Sequence, residues 1–508
     1  MPAVSRRLID PTFAAMLVLG SALLAVPQYP GALVPYLFFH GACALLVAAA
    51  LVPPVFHGFS ALTVFLLLGF WVKTVLTVLG FSVLIEPIGD FDGSGPLWDR
   101  ALTMSAAGLT GIALPKLAWH FIRKGPRVEL QRGVPSWYEQ RRRAVWVLTA
   151  SIVAAANIAN WLLRFYVVGV NERLVLPMHL NVAVVWWLTF GAGMWIAVLL
   201  EFERRVGGGT LSPKWMLVPV AEAFMTTVVM LSRGFYIIKV LPYALTLTIA
   251  KIRAATRFNL RTAVVFATVG IGGFGVSLVA VTSLRLVTYP PLQLPADTTG
   301  AATSEPARGE AATERGAEEG KDVPSSGTPG VSRRERSAAA FKELARMVLG
   351  RWIGLEGMLT VSAVRDLGMD LLKTGLAEDP RASTAAVYQV MSGSTYKALE
   401  GFTFLTLPGV IAVAAYSGTP WFVLLAMAFV SSIVLATEGA CRRLFENEFL
   451  CAVIGVGIAN ALVQMNFPYL TGVFFLELWA TLAGLRLLTS IGSQRVSANT
   501  PEVHLSPL

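Results

Sequence analysis

The chain has 508 residues, of which 55% are in the AVILMFWYC set and only 14% are charged, with a mean hydropathy of +0.63. A soluble domain carries about a quarter charged residues, so a water-soluble globule is excluded. The net charge of +10, from 41 Lys and Arg against 31 Asp and Glu, does not indicate nucleic-acid binding, because the basic residues cluster in short loops beside apolar runs, where they set membrane topology.

The apolar runs are long enough to cross a hydrocarbon core of roughly 30 Å at 1.5 Å per helical residue. Backbone polar groups in lipid must be satisfied within the segment, so the runs predict helices and an all-α polytopic bundle of about 12–13 spans. In chain order they are 11–27, 32–52, 60–85, 101–121, 144–164, 180–200, 216–233, 235–250, 263–284, 402–418, 420–437, 450–466 and 469–488. The first is expected to stay as a signal anchor. The stretch 216–250 is interrupted by Arg233 and Lys239 and reads as two spans, because a single span would put Lys251, Arg253, Arg257 and Arg261 outside.

Arg6 and Arg7 place the N-terminus in the cytoplasm, and the loop 122–143, with Arg123, Lys124, Arg127, Arg132 and Arg141 to Arg143, is strongly cytoplasmic. The loop 86–100, carrying Glu86, Asp90, Asp92 and Asp99, falls outside, and so does the long insert 285–401. The chain thus divides into an N-terminal bundle (1–288), a linker (289–337), an external loop (338–401), C-terminal membrane helices (402–490) and a tail (491–508). Within the linker, 291–337 is rich in Pro, Gly, Ala, Ser, Thr and Glu and cannot bury enough apolar surface to order itself. Phe341, Leu344, Val348, Trp352, Leu355 and Leu359 recur at spacings of three and four within 338–375, which predicts an amphipathic helix on the membrane surface or over the bundle.

Signatures of soluble enzymes are absent: no GxxxxGK[ST], HExxH, CxxC or GxSxG occurs. The run Gly270–Gly275 lies inside an apolar span, where small residues let helices approach closely. The three cysteines have no metal-like spacing, and the five histidines form no ligand cluster, His57, His120 and His504 falling in predicted loops or tails. No metal or cofactor is called for.

Charges inside spans are costly in lipid and therefore informative. Lys73 sits near the middle of the third span, Glu222 in the seventh and Glu477 in the last; each reads either as a functional group or as a snorkelling or internally paired charge. The external region 346–397 gathers Arg346, Arg351, Glu356, Arg365, Asp366, Arg381, Tyr388 and Lys397. These residues form either an ordinary solvated face or an anion site, since guanidinium forks bind phosphate in bidentate fashion.

FWVKTV (70–75) followed by EPIGDFDGSGPLWDR (86–100), RWIGLEGMLTVSA (351–363) and FTFLTLPGVIAVAAYSGTPW (402–421) resemble the corresponding architecture of bacterial O-antigen and exopolysaccharide polymerases (Wzy type) and the related O-antigen ligases. The resemblance implies a glycosyltransferase-type polymerase of the bacterial inner membrane that needs no metal and joins repeat units of undecaprenyl-pyrophosphate-linked oligosaccharide. It implies external arginines on the pyrophosphate, for which Arg351 and Arg365 stand nearest by position, with Arg381 and Lys73 as further substrate-binding residues. Glu356 and Asp366 are the candidates for the general base. Expected partners are the lipid-linked substrate, the bilayer and chain-length regulators or other polysaccharide-assembly proteins, with no nucleic acid. Two other classes stay open: a flippase or transporter of the lipid-linked glycan, and a non-catalytic membrane component of an envelope-assembly complex.

Overall fold

A computed structural model describes residues 11–81, 84, 86–122, 133–168, 180–253, 260–288, 353–379, 385–393 and 406–491. Sixteen helices make up the described chain, which contains no strand. They are α1 Pro11–Gln28, α2 Leu33–Leu51, α3 His57–Val78, α4 Gly95–Ile122, α5 Ser136–Leu163, α6 Leu180–Val206, α7 Pro213–Val229, α8 Arg233–Arg253 and α9 Leu260–Thr288 in the N-terminal part. After these come α10 Leu355–Ala363, α11 Met369–Leu376, α12 Val387–Met391, α13 Val410–Ala415, α14 Pro420–Phe445, α15 Glu448–Val463 and α16 Pro468–Ser490. Nine of the described helices are long and apolar enough to cross a membrane, and the protein is a polytopic helical membrane bundle.

The connections gather at two ends. At the upper end the carboxylate of Asp99 accepts the Ala32 backbone N–H at 2.9 Å, Val168 N donates to Met230 O at 3.2 Å, and Gly89 N donates to Ser392 O at 3.0 Å. At the lower end Lys116 Nζ donates to Val52 O at 2.7 Å and Arg205 Nη2 to Phe445 O at 3.3 Å. The run 216–250 forms two helices, as its charges predict, turning at Leu231 with φ 52°. Gly273 lets α9 close on α8, since a Cβ there would lie 2.4 Å from the Tyr236 hydroxyl, which donates to Gly270 O at 2.9 Å. Helix packing is thus the role of Gly273, with Gly270 beside Val240, whereas a Cβ at Gly272 or Gly275 would meet nothing within 4 Å.

Three expectations need correction. The run 402–418 is not a span in its described part: after Pro408 and Gly409 (φ 76°) it forms only α13, six residues long and wholly buried. Its apolar residues face protein, which hydropathy cannot distinguish from lipid. The described part of 338–375 is two short helices broken at 364–368; Leu355 to Ser362 of α10 are buried throughout, and the amphipathic face belongs to α11, with Leu372 and Gly375 inward and Asp370 and Lys373 outward. Phe341, Leu344, Val348 and Trp352, like the linker 291–337, lie outside the described residues. His57 is not a solvated loop residue: it opens α3 and is buried, its Nδ1 3.2 Å from Glu438 Oε1.

Candidate functional site

Midway along α3 the helix widens into a π-turn, Leu67–Val72, a distortion frequent at functional positions. Gly69 faces incoming chain there: a Cβ would lie 2.4 Å from Ile353 O. Gly354 meets the Phe70 ring in the same way, and a Cβ on Gly357 would lie 2.2 Å from Pro408 O. The glycines thus let two irregular stretches, 353–354 and 406–409, lie side by side within the bundle. From this level α10 and α13 each rise toward the upper end, where Gly368 N donates to Tyr416 O at 2.8 Å. Irregular backbone at membrane depth is tolerated only where protein or a cavity surrounds it.

The first turn of α10 carries Glu356, and the residue after the π-turn of α3 is Lys73. Lys73 Nζ donates to Glu356 Oε1, with Lys73 0% and Glu356 1% exposed. The carboxylate also lies at the positive end of the α10 dipole. Its second oxygen, Oε2, is buried with no hydrogen-bond partner, and so are the hydroxyl of Thr74 and the indole N–H of Trp71 on the same stretch of α3. Buried polar atoms left without partners are rare and require a reason, such as a water or a ligand.

Further along α10, the Thr360 hydroxyl donates to Glu356 O at 3.0 Å and stands 3.5 Å from the buried hydroxyl of Tyr388. Burial, and then the charge of Glu356, raise the Tyr388 hydroxyl well above the usual tyrosine range. The neighbouring Gln389 ties α12 to the second irregular stretch, donating to Thr406 O at 2.8 Å and accepting from Thr406 N at 3.0 Å. Arg100 of α4 donates to Ser362 O at 3.2 Å and Val364 O at 3.0 Å, placing a cation on the carbonyl end of α10.

Of the six residues singled out in the sequence, Lys73 and Glu356 meet directly. Arg365 and Asp366 are exposed in the turn after α10 and do not touch the pair; Arg351 and Arg381, like Arg346 and Lys397, lie outside the described residues. Arg100 and Gln389 carry no sequence signal of their own, since each reads as a loop-proximal polar residue. Of the acidic loop 86–100, Asp99 caps α2 and accepts from the Tyr29 hydroxyl, and Asp92 caps Ser94 N, which holds its carboxyl below the usual range.

Other charges inside the bundle are also paired. Glu222 of α7 accepts from Lys239 of α8 and from the Thr226 hydroxyl, beside a small cavity that Thr189, Pro242 and Tyr243 help to line. Glu203 accepts from Arg142 and, at 2.6 Å, from the Tyr138 hydroxyl. Glu438 accepts the backbone N–H groups of His57 and Gly58, both at 2.7 Å, and Arg442 Nη2 at 3.1 Å. No group of three or more metal-ligating side chains is arranged to hold an ion among the described residues. No protein-family model, curated protein or solved structure matches the chain.

Proposed function

We propose that the protein joins lipid-linked oligosaccharide units at its upper end, as a glycosyltransferase-type polymerase acting on an undecaprenyl-pyrophosphate donor. The observation that carries this reading is the Lys73–Glu356 pair at the base of two half-helices, with one carboxylate oxygen free of partners. Arg141 to Arg143, Arg204, Arg205, Lys214, Arg442 and Arg443 lie at the lower end, whereas Asp90, Asp92, Asp99, Asp366 and Asp370 lie at the upper. The excess of Arg and Lys supports a reading in which the lower end is cytoplasmic and the half-helices stand on the outer side of a bacterial inner membrane. An Asp370→Cys variant in a background without other cysteines should react with an impermeant maleimide in cells with a permeabilised outer membrane; reaction only after lysis would reverse the assignment.

In the proposed reaction an acceptor sugar hydroxyl attacks the anomeric carbon of the donor. The bond from that carbon to the pyrophosphate oxygen breaks, and the hydroxyl proton passes to a carboxylate acting as general base. Glu356 suits the role better than Asp366, because its free oxygen can take the proton while Lys73 holds the other. The leaving pyrophosphate gathers negative charge, which guanidinium groups at Arg351, Arg365 and Arg381 stabilise. Arg365→Ala and Arg351→Lys should each lower polymer formation about a hundredfold, the usual result of losing one contact to a developing charge. The measurement is the chain-length ladder of surface polysaccharide at matched protein level. An unchanged ladder for both variants would remove the arginines from the site.

The second reading, translocation of the lipid-linked unit, draws on Glu222–Lys239 beside its cavity, with a π-turn at Trp187–Gly191 and prolines at 219 and 242 in the adjoining helices. The ladder separates the two. A polymerase defect leaves single units at the surface, and a translocation defect leaves none.

A further inference from the structure

Cys441, near the end of α14, and Cys451, near the start of α15, face each other across the tight turn that joins these helices. Cys451 Sγ donates to Cys441 Sγ at 3.5 Å; both residues are fully buried and neither is in a disulfide. The turn is well defined: Glu446 adopts φ 51°, and the Asn447 side chain accepts from Leu450 N at 3.0 Å and donates to Ala197 O at 3.0 Å. A disulfide requires the sulfurs to close to about 2.05 Å, a change within reach of side-chain rotation when they already touch. Arg442 follows Cys441 in the last turn of α14. It bridges Glu438 at 3.1 Å and Glu448 at 3.3 Å, and the Glu448 side chain is 41% exposed, so solvent reaches the next layer.

We propose that Cys441 and Cys451 form a reversible disulfide, closed by a small uncharged hydroperoxide. One thiolate attacks the peroxide, breaking the O–O bond; with hydrogen peroxide this gives a sulfenic acid and releases water once protons are supplied. The second thiolate attacks the sulfenic sulfur, the S–S bond forms, and the second oxygen leaves as water. Two thiols are oxidised by two electrons in all, and the peroxide is reduced by two. The bond fixes the α14–α15 turn and with it the Arg442–Glu438–His57 cluster that seats the start of α3. Transient disulfides of this kind serve redox sensing in reducing compartments.

The full chain, purified in detergent, is exposed to hydrogen peroxide, denatured, and reacted with a maleimide-linked polymer that retards each labelled thiol on a gel. Untreated protein should take three additions, one per cysteine, and oxidised protein one, at Cys43, with three restored by dithiothreitol. Peptide mass analysis should find Cys441 and Cys451 joined, lighter by two hydrogens. Cys441→Ser and Cys451→Ala should each keep both remaining thiols under the same exposure. Three additions persisting after peroxide would overturn the proposal, and so would equal thiol loss in the single variants, which would mean independent oxidation.

Discussion

Lys73→Met and Glu356→Gln should each remove both polymer and most of the thermal stability of the detergent-solubilised protein, whereas Lys73→Met combined with Glu356→Met should restore the stability and not the polymer. Both side chains of this pair are buried, so deleting one partner leaves the other charge without compensation, at about 3–5 kcal/mol. Total stability of a folded protein is only about 5–15 kcal/mol, so either single change takes a large share of it. Replacing both partners by apolar groups of similar volume is often neutral or better, because the desolvation of two ions is relieved together with their attraction. The double variant therefore separates a structural lock from chemistry. Recovery of the ladder along with the fold would reduce the pair to a lock and leave the polymerase reading without its centre. Glu222→Met with Lys239→Met makes the parallel change at the other deep pair, and it should keep both fold and polymer. Loss of all surface units there, with normal folding, would favour translocation.

That Lys73 carries meaning was legible from its place in FWVKTV, because an ammonium near the middle of an apolar run must be paired, hydrated or functional. Its partner was not, since Glu356 lies 283 residues away and no periodicity specifies a contact of that separation. The span order was readable because length, apolarity and flanking arginines are local quantities. It failed where protein replaces lipid as the apolar surrounding: α13 is as hydrophobic as a span, yet Gly409 and Pro408 break it. The same ambiguity hid α10, whose Leu355 and Leu359 suit a surface helix and a buried one equally, until Gly357 and Gly354 are seen to be spaces that the Pro408 backbone and the Phe70 ring fill. Arg365 and Asp366 were readable as charged residues of the region 346–397, but their place in a turn apart from the pair was not, because that depends on where α10 ends.

Gly357→Ala should destabilise the protein by about 1–3 kcal/mol, as overpacking typically does, and should lower polymer formation by more than the loss of folded protein explains. The added methyl would sit 2.2 Å from Pro408 O and 3.1 Å from the Ala412 side chain, and a backbone oxygen cannot swing aside as the end of a flexible side chain can. The two half-helices must therefore part, and Glu356, one residue away, moves with α10. Against this stands the better helix propensity of alanine, about 1 kcal/mol over glycine, which reduces the net loss without cancelling it. Gly69→Ala forces the same separation from the α3 side, with its methyl 2.4 Å from Ile353 O, and should act in the same direction. Gly272→Ala gives the opposite expectation, because α9 is helical there and nothing lies within 4 Å of the new methyl, so the propensity gain alone should operate. Thermal unfolding of the three variants in one detergent, alongside the polysaccharide ladder at matched protein level, makes the comparison. If Gly357→Ala and Gly69→Ala unfold with the same midpoint as Gly272→Ala, the half-helices do not meet as described, and the backbone support for the Lys73–Glu356 site falls with them.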